Sequence, residues 1–247
     1  MVRRALAYAV VVACTSSAVL LSPAAAQTRG VLELFTSQGC SSCPQADQLL
    51  GELASDPSLV TVSLPIDYWD YLGWKDTLAD PRNTVRQKAY SKVRGDRQVY
   101  TPQMVVNGSV HALGSDRNAI ERAIEHSREK PATLSLPVAL SVVDGRLVVV
   151  VPERSDGHAA AEVWVWGLSK AITVAIKRGE NRGKTITYYN VLRRSLKLDS
   201  WNGKANTWTV PIRDIDGDGI DRAAAIVQAG TAEKPSAMLG AAVAALR

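Results

Sequence analysis

Cys40-Ser41-Ser42-Cys43 is the one place in this chain where two thiols stand close enough in sequence to act together. The pair lies between an apolar run, Val31 to Ser37, and a helical pattern that begins near Pro44. At a helix start, unpaired backbone N–H groups and the helix dipole favour a thiolate, which lowers the pKa of the first cysteine. A thiolate attacks disulfides, and a second thiol three residues on resolves the mixed disulfide. On this reading Cys40 attacks and Cys43 resolves, with Pro44 in the first turn, where its missing N–H costs nothing. Ser41 and Ser42 tune the pair through hydrogen bonds to sulfur. Three other readings stay open. Zinc wants four N/S ligands, whereas His111, His126 and His158 are scattered. Copper(I) is satisfied by two thiolates. An inert bridge closing so short a loop constrains the unfolded chain by only about 2 kcal/mol.

The elements that must hold this pair follow from the pattern. Val31–Phe35 and Leu59–Leu64 read as strands, and Pro44 to Ala54 as a helix with Ala46, Leu49, Leu50 and Leu53 on one face. A second helix runs from about Asn83 to Arg94 and is ended by Gly95. Met104–Val106, Asn107-Gly108 and Ser109–Ala112 make a strand, tight turn and strand. Asp116 caps a last helix that runs to about Glu129 and is closed by Pro131. This order, β-α-β-α-β-β-α, is the one a thioredoxin fold needs. Beyond Pro131 the pattern changes to short β-branched and aromatic runs: Leu134 to Val151, Glu162 to Leu168, Ala171 to Lys177, Thr185 to Val191 and Trp208 to Ile212. The expected architecture is therefore an α/β thioredoxin-like domain over residues 27–131, followed by an all-β sandwich or small barrel over 132–247.

Several neighbours are placed to assist the cysteines. Pro102, after Thr101 and before strand Met104–Val106, is expected to be a cis-proline shaping a substrate groove. Glu33 in the first strand is a candidate proton acceptor for Cys43 if burial raises its pKa. In thioredoxin the comparable acid stands one residue nearer the cysteines, where this chain has Leu34, and strand alternation makes that offset serious. Tyr68, Trp69, Tyr71 and Trp74 lie within Asp67–Asp76; they either line a substrate cleft or cover the sheet. Asp67 and Asp70 read as loop caps. Arg178-Gly179-Glu180-Asn181-Arg182-Gly183 reads as a polar hairpin tip, although its arginines suit an acidic partner or docking onto the first half. Asp214–Asp221 opens like a calcium loop, but its closing position is Ala225, so a turn is the simpler reading.

The ends set the compartment. Arg3 and Arg4, an apolar run from Ala5 to Leu21 and Ala24-Ala25-Ala26 form a secretory signal peptide over residues 1–26, and the run is too short for a membrane span. A lipoprotein anchored at Cys14 is the rival, opposed by the apolar residues that continue past it. Cleavage removes Cys14, Arg3 and Arg4, so only Cys40 and Cys43 remain and the formal charge falls from +5 to +3. So weak a balance does not point to nucleic acid, and two cysteines are no disulfide framework.

Leu32–Pro44 (LELFTSQGCSSCP), Ile66–Asp76 (IDYWDYLGWKD) and Arg178–Gly183 (RGENRG) together resemble a family of secreted, thioredoxin-like bacterial proteins catalogued as a domain of unknown function. The resemblance spans nearly the whole mature chain and implies an exported thioredoxin-like protein with a CxxC. The expected function is a periplasmic or secreted thiol–disulfide oxidoreductase. It needs no cofactor beyond its own disulfide, a protein or small-thiol substrate, a redox recycling partner and no membrane span after cleavage. The alternative is a non-catalytic binding module, for a protein partner or a soft metal, with a structural disulfide.

Overall fold

The computed structural model describes residues 28–154 and 160–246. Residues 1–26, expected above to be a signal peptide, with Cys14, and His158 lie outside them.

The chain runs β1 (Gly30–Thr36), α1 (Pro44–Leu53), β2 (Leu59–Pro65), α2 (Pro81–Arg94), β3 (Gln103–Val106), β4 (Val110–Leu113) and α3 (Arg117–Arg128). Then come β5 (Ala139–Val143), β6 (Arg146–Val151), β7 (Ala161–Ala175), β8 (Thr185–Trp201), β9 (Asn206–Pro211), β10 (Arg222–Thr231) and β11 (Lys234–Ala245). Local chemistry explains the boundaries. Asp80 accepts from Arg82 N at 2.9 Å ahead of Pro81, and Gly95 ends α2 at φ 81°. Asp116 caps α3 through Ala119 N at 2.9 Å. Asn107-Gly108 and Asp144-Gly145 both turn with two positive φ angles, the geometry that tight hairpins require.

The architecture differs from the expected pair of domains. The protein is mostly β, with only three α-helices among the described residues, and eight of its strands form one sheet in the order β11-β10-β7-β8-β2-β1-β3-β4. The step that joins the halves is β2 beside β8, parallel at Ser63 and Val191, with Asn190 donating to Thr61 Oγ1 at 2.8 Å. An α/β thioredoxin-like unit followed by a separate all-β unit is thereby overturned: the edge of β2 is not a boundary but the seam of a continuous sheet. Only β5, β6 and β9 form a second sheet.

The seam was hidden because β7 and β8 are far longer than their composition suggests, at 15 and 17 residues. Ser169-Lys170 separates two short runs in the sequence reading, yet β7 passes straight through it and through Gly167. Gly167 stands there because the 212–220 connection crosses against it; an added Cβ would meet Ile215 O at 2.8 Å.

Alternation along the sheet builds the cores. On β1, Leu32 and Leu34 face α1 and α3, together with Leu50, Met104 and Ile124. Val31 and Phe35 face α2, in a core that continues to Trp166, Ile226 and Met238 of the later strands. The three-stranded sheet covers Val163, Val165, Ala225 and Leu239 with its own Leu147 and Val149. The main sheet curls until β11 returns to the β3–β4 turn, where Met238 N donates to Asn107 O at 3.0 Å.

Inside that curl a charged cluster bridges β1, α2 and β10. Arg86 of α2 donates to both Glu33 oxygens at 2.6 and 3.2 Å, to Tyr90 OH at 2.7 Å and to Gln228 Oε1 at 2.9 Å. Its guanidinium also lies 5.0 Å from the Trp166 ring centroid. Breaking a buried ion pair from one side leaves an uncompensated charge. Glu33→Gln should therefore lower unfolding stability by about 3 kcal/mol or more in a urea titration; a loss below about 1 kcal/mol would show that the cluster contributes little.

Candidate functional site

β1 ends at Thr36, and Ser37 to Gly39 turn the chain into the cysteine loop. Gly39 N donates to Ser37 Oγ at 3.0 Å and Cys40 N to Ser37 O at 3.1 Å. Cys40 and Cys43 are joined as a disulfide. Cys43 is the N-cap of α1, its carbonyl accepting from Ala46 N and Asp47 N at 2.9 and 3.0 Å, and Pro44 opens the helix. The Cys40 residue is 5% exposed and Cys43 is fully buried, so an incoming group reaches Cys40 first, past exposed Ser41 and Ser42. Ser42 Oγ lies 3.4 Å from the Cys40 sulfur.

Two distant segments clamp this loop. One is the tip between β7 and β8: Asn181 Nδ2 donates to Gln38 O at 3.0 Å and to Cys40 O at 2.8 Å, and Ser41 N donates to Glu180 Oε2 at 3.2 Å. Asn181 is fully buried, and its Oδ1 accepts from Lys184 Nζ at 2.9 Å. The other is the aromatic loop after β2. Trp74 Nε1 donates to Gln38 Oε1 at 2.8 Å, and Gln38 N to Asp76 Oδ2 at 2.8 Å. Trp69 packs so close to Gly39 that an added Cβ there would meet Trp69 Cβ at 3.1 Å. Trp69 Nε1 also donates to Thr101 Oγ1 at 2.8 Å, which ties the cysteine loop to the segment before β3. There Thr101-Pro102 is cis. Pro102 reaches the first turn of α1: a Cβ on Gly114 would meet Pro102 Cβ at 3.1 Å and Ala46 Cβ at 3.3 Å.

One turn into α1 lies a buried carboxyl group. Asp47 follows Cys43 by four residues, one turn along the same helix face, and helical side chains lean back over the preceding turn. It is 1% exposed, and neither oxygen has a hydrogen bond of good geometry. Burial pushes its pKa up to about 8; the Thr36 hydroxyl pulls the value back somewhat, and Asp76 adds to the rise. Asp76 is itself pushed up by burial, opposed by the N–H groups of Gln38, Leu78 and Ala79 that bind it. Tyr188 of β8 is buried alongside, its hydroxyl held protonated by burial and by both acids. At neutral pH the space behind Cys43 therefore stores a proton on Asp47.

The family described as "Protein of unknown function (DUF1223)" matches residues 31–228, a span that contains the disulfide, both clamping segments and most of the large sheet. The chain belongs to this family. A crystal structure of an Agrobacterium tumefaciens protein, solved by structural genomics, is similar at 31% identity with a TM-score of 0.78. The alignment covers 87% of this chain and 93% of that one. No curated protein matches the chain.

Within this DUF1223 protein the sequence-derived residues fall into two sets. Cys40, Cys43, Thr101, Pro102, Trp69 and Trp74 converge on one end of the sheet. Tyr71 stacks on Trp69 at 6.2 Å between centroids and is 76% exposed. Glu33 is elsewhere: strand alternation turns it to the α2 side, where Arg86 and Tyr90 hold its carboxylate. The buried acid of α1 is Asp47, four residues after Cys43, which sequence reading passed over. Its signal was present in the spacing, a charged residue among the apolar positions of α1, four after a cysteine. Asn181 and Glu180 carried only the turn chemistry of their hairpin. Of the histidines, His111 contacts Tyr100 and Asp96, and His126 contacts Glu129. In the Asp214–Asp221 segment, Asp221 Oδ1 accepts from Lys170 N at 2.8 Å, and among the described residues no three metal-ligating side chains cluster.

Asp47 has a thermodynamic signature. Unfolded it ionises near pH 4; folded it keeps its proton to about pH 8. The native chain binds the extra proton between those values, so stability is greatest below the window and falls as pH rises through it, by at most about 1.4 kcal/mol per unit. Asp47→Asn should flatten this fall in urea midpoints of the oxidised protein measured from pH 5 to 8. Parallel profiles for the variant and the natural chain would mean that Asp47 is ionised in the fold.

Proposed function

We propose that this protein is an exported thiol–disulfide oxidoreductase that works through Cys40 and Cys43. The observation that carries the reading is the reachable disulfide at the start of α1 with a buried, protonated Asp47 one turn behind the inner cysteine. A bridge kept for stability alone has no use for such an acid. The basic start, apolar run and small-residue exit over residues 1–26 support export.

The chemistry balances without a cofactor. A substrate thiolate attacks the Cys40 sulfur and forms a new S–S bond there. The Cys40–Cys43 bond breaks, and its electron pair stays on Cys43 as a thiolate. The proton of Asp47 passes to Cys43, which leaves a neutral thiol and an Asp47 carboxylate. The substrate's second thiolate then attacks its own sulfur in the mixed disulfide and releases Cys40 as a thiolate. Its charge is accommodated by the α1 N-terminus and the Ser42 hydroxyl. The substrate is oxidised to a disulfide and the protein is reduced; a disulfide of a recycling partner reverses both steps. Thr101 and Pro102, held beside the cysteines through Trp69, shape the surface on which the substrate lies. Direction is set by the reduction potential of the pair against its partners.

Three variants test this. Cys43→Ser should accumulate a mixed disulfide through Cys40, and Cys40→Ser should not. Asp47→Asn should slow opening of the disulfide by a small-molecule thiol roughly tenfold or more at pH 7, a modest share of what a positioned acid supplies. A potential below about −300 mV, with no mixed disulfide trapped, would instead identify an inert bridge in a binding module.

A further inference from the structure

We infer that the substrate of this site is a polypeptide cysteine with acidic neighbours. The inference rests on the exchange reading above and adds the substrate class.

Within eight residues the β7–β8 tip carries Lys177, Arg178, Arg182 and Lys184, all exposed. The tip is fixed at the disulfide by the bonds from Asn181 to Gln38 O and Cys40 O and from Ser41 to Glu180. Lys75 is exposed on the opposing aromatic loop, next to Trp74, whose Cβ faces Gly179 of the tip. Five exposed cations thus form a rim on the two segments that clamp the cysteine loop, and among the described residues none of them is in an ion pair. A chain whose formal charge is only +5 over 247 residues has no general excess that would put them there.

The nearby acids cancel only part of this charge. Glu180 accepts from Ser41 N, Asp70 from Asp76 N, and Asp76 from three backbone N–H groups, so the formal count is five cations against three acids. Asp47 is protonated at neutral pH. The rim is therefore net positive where a substrate sulfur must arrive.

A groove gives the length of chain. It has a volume of about 450 Å³ and runs along α1 and the start of β8, lined by Pro44, Gln48, Lys184, Thr185, Thr187 and Tyr189. Its lining reaches Pro44, the residue after Cys43, and carries one of the five cations, with Lys184 Nζ oriented by Asn181 Oδ1. That volume suits several residues of an extended peptide better than a lone small thiol. Carboxylates beside the substrate cysteine would meet the rim as the sulfur meets Cys40. Acidic flanks also raise the pKa of a substrate thiol, so the rim compensates by holding the thiolate form.

The test uses the oxidised full-length mature chain and two peptides of equal length, each with one cysteine, flanked by glutamates in one and by lysines in the other. Each rate of disulfide opening is divided by that peptide's rate with a small uncharged disulfide, which removes the intrinsic effect of the flanks on the thiol. The corrected rate for the acidic peptide should exceed that of the basic one about tenfold at low ionic strength, and the ratio should collapse in 0.5 M salt. Arg178→Ala combined with Arg182→Ala, both exposed and away from the clamping bonds, should cut the ratio at least threefold and leave the opening rate with a neutral thiol unchanged. Equal corrected rates, or a faster basic peptide, would overturn the substrate class and leave the exchange chemistry standing. Failure of both peptides and of the neutral thiol to open the disulfide would overturn the exchange reading, and this inference with it.

Discussion

Asn181 places a single side-chain amide, fully buried, between two carbonyls of the cysteine loop and a lysine of its own hairpin. The rest of the site depends on that contact. The Gln38 and Cys40 carbonyls of the disulfide loop both accept from this amide, and Cys40 O also accepts from Cys43 N at 3.2 Å. Buried without a partner, the Gln38 carbonyl would cost about 1–3 kcal/mol. The amide satisfies both from a residue far along the chain, so the cysteine loop and the β7–β8 tip must be ordered together. The contact explains why the hairpin is so long: β7 and β8 extend past the seam until their tip reaches the end of β1.

The seam and the site belong to one design. Because β8 lies beside β2, it brings Tyr188 under α1, facing Asp47 and Asp76. The same pairing carries the tip across the N-terminal end of α1. A sheet that stopped at β2 would leave Asp47 open to water, and an open carboxyl ionises near its ordinary value. Burial by the later strands is what keeps a proton behind Cys43. On the opposite face the Glu33–Arg86 cluster serves the curl, joining β1, α2 and β10, and has no contact with the sulfurs.

Local signals in the chain were legible where local chemistry decides. Asp80, Gly95 and Asp116 mark helix ends, and Asn107-Gly108 and Asp144-Gly145 mark hairpins, because caps and positive φ angles are properties of a few adjacent residues. The cysteine pair at the start of α1 and the cis bond before Pro102 belong to the same class. The choice between Glu33 and Asp47 does not. Both are acids near the cysteines in sequence, and only the packing shows which one is buried without a cation one turn into α1 and which is bound by Arg86. The two-unit architecture was misread for a related reason. Ser169-Lys170 and the polar stretch of β8 after Val191 look like breaks when judged by propensity, but strand pairing overrides weak local preference.

By itself, then, the sequence determined that two thiols sit at the head of a helix, that β-rich chain follows, and that the ends of most elements lie where caps and turns put them. These follow from backbone geometry and short-range hydrogen bonds, which need no knowledge of the rest of the chain. The tertiary structure decided that one sheet runs through both halves, that Asp47 is the buried acid, and that a polar hairpin tip closes over the disulfide. Those outcomes rest on contacts between residues more than a hundred positions apart, such as Asn181 with Cys40, whose energy exists only once the sheet has brought them together.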